Sequence, residues 1–247
     1  MSDVDILLLI LIGLIGTFIG TLAGGGGLIS MPSMLLMGVP IHSAIAATKF
    51  SNTLSSFSSF YVLFRQKKID LKTAIFLAPL GISGGITGGL IATSISEKAM
   101  TTAAVFLLSF ALVLSFIRKP KGDGHSTTKV SRKVYPLLYG IGIYDGMFGP
   151  GQATLQMYTY LHNGFSYLSA IALTRFLTFS SCLGAFSTYF LTGHLNWRVA
   201  PSLAVGSFIG AQLSVRVAGK LSSKHLQFIL RALTVLLLVQ LMWNLLN

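Results

Sequence analysis

Two basic residues set inside apolar runs, Lys49 and Arg175, are the side chains in this sequence best suited to chemistry. A cation at the centre of a membrane helix costs about 3 kcal/mol on insertion scales, so it needs a partner or a wet cavity. The chemistry such a pair could do is to hold an anion. Arginine's forked donors suit a carboxylate, sulfonate or sulfite-type oxyanion, and lysine supplies a point charge. Thr48, Asn52 and Thr174 would add neutral donors nearby. The plainer reading is that both cations snorkel from helix ends to the interface. Asp145 is the one acid predicted within a span. It could carry a coupling proton, cap the short helix that follows it, or pair with Arg175.

Other candidates carry less. His42 and His162 lie near segment ends and His194 in a loop. None has ligand spacing, so neither a metal nor a cofactor is predicted. Gly81-Ile82-Ser83-Gly84 matches the GxSG pattern of an intramembrane serine protease. That reaction needs a facing histidine base, and small residues in a glycine-dense helix have a packing reason of their own. An aspartyl protease needs two embedded acids, and only Asp145 qualifies. The chain is therefore not expected to be an enzyme. The single cysteine, Cys182, reads as a small packing residue.

The elements that must position these residues are organised around backbone breaks. Gly24-Gly25-Gly26-Gly27 separates two apolar runs, and glycine costs about 1 kcal/mol per position in a helix relative to alanine. At membrane depth, broken backbone must line a protein-buried or water-filled cavity. Backbone N–H groups at the broken helix ends would favour negative charge. Phe148-Gly149-Pro150-Gly151-Gln152 is a second such break, again before a short apolar segment. Gly25, Gly26, Gly149, Gly151 and Gln152 accordingly join the candidate anion site.

Composition places these breaks in a bilayer. The hydrophobic fraction is 53%, 10% is charged, and mean hydropathy is +0.75; a soluble domain carries about 25% charged residues. The net charge of +12 could suggest a nucleic-acid binder. The basic residues cluster instead in short loops beside apolar runs, as at the cytoplasmic ends of membrane helices, so no nucleic-acid partner is expected. The acidic start, Met1 to Asp5, lacks a secretory n-region, and the first run is expected to be retained. Ile6 to Ala23 spans about 27 Å as a helix, whereas Leu28 to Gly38 spans only about 16 Å. Trp197 and Trp243 read as interface anchors.

One register relates the two halves. Ser43-Ala44-Ile45-Ala46 falls on Ser169-Ala170-Ile171-Ala172, Thr48 on Thr174, Lys49 on Arg175 and Phe50 on Phe176. Gly20, Gly25, Gly38 and Gly84 fall on Gly146, Gly151, Gly164 and Gly210. Interrupted segments at corresponding places in two halves point to a transporter's site. If each broken segment completes a crossing, the halves are inverted and most basic residues lie inside, with both termini outside. If the segments re-enter, the halves are parallel and the charge balance is less favourable. The sequence thus predicts an all-α polytopic membrane protein with two homologous halves, a tandem repeat, inverted on the charge count. Each half would have about four full spans plus a short broken or re-entrant helix. Residues 1–117 would form the first membrane repeat, 118–133 a cytoplasmic linker and 134–247 the second repeat.

Gly20-Thr21-Leu22-Ala23-Gly24-Gly25-Gly26-Gly27, Pro32 and Ala46-Ala47-Thr48-Lys49-Phe50-Ser51-Asn52 resemble the first half of the TauE/SafE-type sulfite exporter family. Tyr144-Asp145-Gly146-Met147-Phe148-Gly149-Pro150-Gly151 and Ala172-Leu173-Thr174-Arg175-Phe176 resemble its second signature. The resemblance covers essentially the whole chain. It implies an inner-membrane permease for a small anion, such as sulfite or an organosulfonate, with a coupling proton or sodium ion. The alternatives are a passive anion channel or, further off, the protease. Gly24 stands where many relatives carry a bulkier residue, which would loosen the first break.

Overall fold

The computed structural model describes residues 3–24, 26–116, 130–218, 228, 231–239 and 243. The described residues form α-helices and one 3-10 helix, with no strand. In chain order the helices are α1 (Asp3–Ala23), α2 (Gly27–Leu36), α3 (Ile41–Arg65), α4 (Leu71–Thr93) and α5 (Glu97–Ser115). After the 3-10 turn Arg132–Val134 come α6 (Tyr135–Met147), α7 (Gln152–His162), α8 (Tyr167–Leu191) and α9 (Val199–Val217). Residues 231–239 are also helical. Most of the expected 118–133 linker, Gly25, Lys220 and Lys224 lie outside the described residues.

Among the described residues, four helices, α1, α4, α5 and α8, are long and apolar enough to cross a membrane. Large apolar side chains such as Phe76, Phe106, Val113 and Leu191 stand exposed on the outside. Polar groups are turned inward instead: Lys49, Ser51, Ser55, Ser56 and Ser59 of α3 are all buried. That inversion suits a lipid solvent, in which polar groups must be satisfied within the protein.

The two halves of the chain do not pack as separate bundles. The broadest interfaces join α1 to α9, α4 to α6 and α8, and α3 to α8 and α9. Small residues let these backbones touch. A Cβ on Gly85 of α4 would fall on the Ser181 carbonyl of α8, and one on Gly206 of α9 would fall on the Ile10 carbonyl of α1.

Each short helix doubles back on the one before it. Gly26 lies against Gly16 and Gly20, and Ser30, a turn later, lies against Gly16. Tyr167 at the start of α8 donates to the Leu22 carbonyl near the end of α1, at 2.8 Å. His42 at the start of α3 instead meets Ala92 near the end of α4, and His194 beyond α8. The end of α1 and the start of α3 therefore lie on opposite sides, and α2 is the connection between them. In the second half, Tyr135 at the start of α6 shares a cavity with Asp70 and Lys72. Just inside α8, Ser169 donates to the Lys68 carbonyl at 2.7 Å. So α6 begins and α7 ends on one side, that of the α3–α4 loop.

Candidate functional site

The two breaks meet. Gly24, Gly149 and Gly151 have φ of +89°, +107° and +88°, a region that L side chains seldom adopt. Glycine is what lets the chain reverse at these points. A Cβ on Gly27 would lie 3.0 Å from Pro150 Cα. The Thr154 hydroxyl donates to the Gly24 carbonyl at 2.7 Å, and the Tyr144 hydroxyl donates to the Pro150 carbonyl at 2.6 Å. Between the breaks lies a cavity of about 50 Å³, walled by Gly24, Gly26 and Gly27 on one side and Gly149 to Ala153 on the other. The N-termini of α2 and α7 therefore border the same small space. The dipoles of both helices favour negative charge there.

Arg175 reaches this cavity from α8 and is only 6% exposed. Its Nε donates to Ser59 Oγ at 2.8 Å and one terminal nitrogen donates to Ser55 Oγ at 3.3 Å. Ser59 in turn donates to the Ser55 carbonyl at 2.7 Å, which leaves its lone pairs turned toward the guanidinium. The ion pairs among the described residues are His42–Glu97 and Lys49–Asp145, and neither includes Arg175. The guanidinium is thus a buried charge held by neutral oxygens at the wall of a polar cavity.

Lys49 has the opposite surroundings. It is fully buried, and its Nζ lies 3.0 Å from Asp145 Oδ1. The same ammonium donates to the Asp145 carbonyl and, at 3.5 Å, to that of Phe148. It sits on the last carbonyls of α6, where a cation suits the helix dipole. Asp145 also accepts from the Ser181 hydroxyl, and the Cys182 thiol lies 3.5 Å from its Oδ2. The ion-pair partner of Asp145 is Lys49, where pairing with Arg175 was one expectation. A Cβ on Gly149 would lie 2.7 Å from Lys49 Nζ, so the ammonium lies directly behind the second break.

Of the residues expected at the site, the cavity gathers Gly26, Thr48, Asn52, Gly149, Gly151, Gln152 and Arg175. Lys49 and Thr174 are not among its lining residues, and Gly25 lies outside the described residues. The Thr48 hydroxyl donates to the Ala44 carbonyl of its own helix. Sequence reasoning missed Thr17, Ser30, Ser51, Thr178 and Ser207, which also line the cavity. The four-residue spacing of Ser51, Ser55 and Ser59 on α3 was the available signal for an inward polar stripe. Ser83 is exposed on α4 with its hydroxyl donating to the Pro79 carbonyl at 2.6 Å, so it faces outward.

Residues 9–241 match the family described as sulfite exporter TauE/SafE. The chain is 33% identical to "Probable membrane transporter protein ORF9" of a Sinorhizobium species, an alignment covering 92% of this chain and 88% of that one. It is 31% identical to a "Probable membrane transporter protein" of Haemophilus influenzae, over 87% and 86% of the two chains. With "Probable membrane transporter protein YfcA" of Escherichia coli K12 the identity is 25%, over 85% and 79%. No solved structure matches significantly.

Proposed function

The chain belongs to the sulfite exporter TauE/SafE family, and we propose that it is an inner-membrane secondary transporter for a small anion. The cargo is a sulfur oxyanion or organosulfonate of about the size of sulfite, bound between the two breaks and carried by alternating access. The observation that carries this reading is Arg175: a buried guanidinium without a carboxylate partner among the described residues, facing a cavity bordered by two helix N-termini. A buried cation is costly without a counter-charge, and a bound anion supplies one. Thr48, Asn52 and Gln152 add neutral donors on the same walls.

Both short helices double back, for which a parallel arrangement was expected, but α6 is only 13 residues long and forms a half-depth hairpin with α7. An inverted repeat is instead supported by how the elements pair. With α1, α3 and α4 taken as counterparts of α6, α8 and α9, the α1–α9 interface corresponds to α6–α4, and α3–α9 to α8–α4. The charge distribution supports the orientation. Arg65, Lys67, Lys68, Lys72, Arg132 and Lys133 belong to the side reached by the ends of α3 and α7, whereas Glu97, Lys98 and Arg198 belong to the other. The first side is therefore cytoplasmic. Lys49, paired with Asp145, holds the second break from behind. Asp145, ion-paired with Lys49, is the candidate residue for coupling to the driving ion.

Purified protein in liposomes should take up sulfite with a dependence on a proton or sodium gradient. Arg175→Ala should lower that flux at least about thirtyfold, the equivalent of the roughly 2 kcal/mol at the lower end of what losing one member of a buried charge pair costs. Arg175→Lys should fall between the two, because it keeps the charge and loses the fork. Unchanged flux in Arg175→Ala would overturn the site.

A further inference from the structure

Below the cavity, α7 carries three polar side chains one turn apart, Gln152, Gln156 and Tyr160, which are 5%, 0% and 0% exposed. Each keeps a polar atom with no hydrogen-bond partner: Gln152 Oε1, Gln156 Nε2 and the Tyr160 hydroxyl. Thr178 of α8 links the first two, accepting from Gln152 Nε2 at 2.9 Å and lying 3.5 Å from Gln156 Oε1. Exchanging O and N in either amide would change which atom is unpaired but would still leave one. Gln152 and Thr178 also line the cavity beside Arg175, so the row starts at the cavity wall. It ends near the start of α8, which touches the α3–α4 loop.

Buried polar groups are ordinarily hydrogen-bonded, and an unmatched one is costlier still in a membrane. Three in succession on one short helix are more than a packing core requires, because leucine would fill the same space without penalty. The first short helix offers no such row. Its positions in the same register are Gly26, Ser30 and Met34, and Ser30 already donates to the Gly26 carbonyl at 3.4 Å. Met31 and Met34 there are fully buried apolar residues. Among the described residues of the two short helices, the row of unmatched polar groups belongs to α7, which runs toward the side of the α3–α4 loop.

We propose that the α7–α8 seam from Gln152 through Gln156 to Tyr160 is the route between the central cavity and the side of the α3–α4 loop. The amide, threonine and phenol groups act as a second station that takes the anion from Arg175. The identity of the cargo rests on the function proposed above, whereas the route itself does not.

Thiol accessibility separates the two. Gln156→Cys and Leu161→Cys would each be made in the full chain and treated with the anionic reagent 2-sulfonatoethyl methanethiosulfonate in inside-out vesicles. The parent, whose own Cys182 is fully buried, gives the background. Gln156→Cys should react at least about tenfold faster than Leu161→Cys, which packs in the apolar cluster that also holds the ring of Tyr160. Methanesulfonate, an organosulfonate that does not react with the reagent, should slow that reaction. Equal rates at the two positions would overturn the route. Fast reaction without protection by methanesulfonate would keep the route and remove a small sulfonate as its cargo. Tyr160→Phe, which keeps the ring and its packing, should lower maximal flux about tenfold with half-saturation changed less than about twofold. Wild-type flux in Tyr160→Phe would exclude the phenol from the station.

Discussion

Arg175 and Lys49 share one sequence register, 126 residues apart, yet their partners differ in kind. Lys49 pairs with a carboxylate and donates to two backbone carbonyls, whereas the hydrogen bonds of Arg175 among the described residues go to serine hydroxyls. This asymmetry predicts distinct behaviour on substitution. Removing one member of the buried Lys49–Asp145 pair leaves an uncompensated charge and should cost about 3–5 kcal/mol, while removing both should recover much of it. Thermal unfolding in detergent should therefore rank parent, Lys49→Met with Asp145→Asn, then either single variant. A double variant no more stable than the worse single one would mean that the two groups do not compensate each other. Arg175→Met should be nearly neutral or stabilising in the same assay, because no partner carboxylate is orphaned. The residue types and their shared register were legible from the sequence, since embedded cations are rare enough to stand out. Which of the two faces the cavity was not, because that depends on whether Asp145, distant in sequence from Lys49, closes against it.

At the scale of elements, the glycines of α4 and α9 act through the space they leave. A Cβ at Gly85 would overlap the Ser181 carbonyl, so Gly85→Ala should destabilise by about 1–3 kcal/mol through forced separation of α4 from α8. Gly140 on α6 has nothing within 4 Å of such a Cβ, and Gly140→Ala should be neutral or stabilising by up to about 1 kcal/mol. Unfolding midpoints of the two variants moving together would contradict this division. The helix ends opposite the α3–α4 loop carry a different sensitivity. His42 lies 2.7 Å from Glu97 and its ring centroid 4.9 Å from that of His194, tying the starts of α3 and α5 to the loop after α8. Partial burial holds the His194 pKa below the ordinary 6.5, with His42 lowering it further and Glu97 opposing. The unfolded chain then binds the proton more readily, so stability present above about pH 6.5 declines as pH falls through the folded value. His194→Asn should flatten that acid-side decline in melts between about pH 7 and pH 5; an unchanged slope would assign it to another group. Helix number and the two breaks could be read from apolar runs and glycine clusters. The doubling back of α2 and α7 could not, because a half-length apolar run has the same composition whether it continues or returns.

For the whole molecule, the halves share their interfaces, so neither half has a complete core without the other. The α1–α9 and α4–α6 contacts each join a helix of one half to a helix of the other. A chain built this way has two faces, defined by its loops. Arg65 to Lys72 and Arg132 belong to one, and Glu97, Lys98 and Trp197 to the other. On the orientation proposed from the positive-inside rule, the first face is cytoplasmic, the start of α1 lies outside and the proposed α7–α8 route opens inward. Lys67 and Lys98 are both exposed and lie on opposite faces, while Cys182 is buried and silent. A membrane-impermeant maleimide added to intact cells should therefore modify Lys98→Cys, and should modify Lys67→Cys only after the membrane is opened. The reverse pattern would invert the orientation while preserving the fold. Modification of both from outside would contradict the placement of the α3–α4 and α4–α5 loops on opposite sides of α4, and with it the assignment of one face to each half of the transport route.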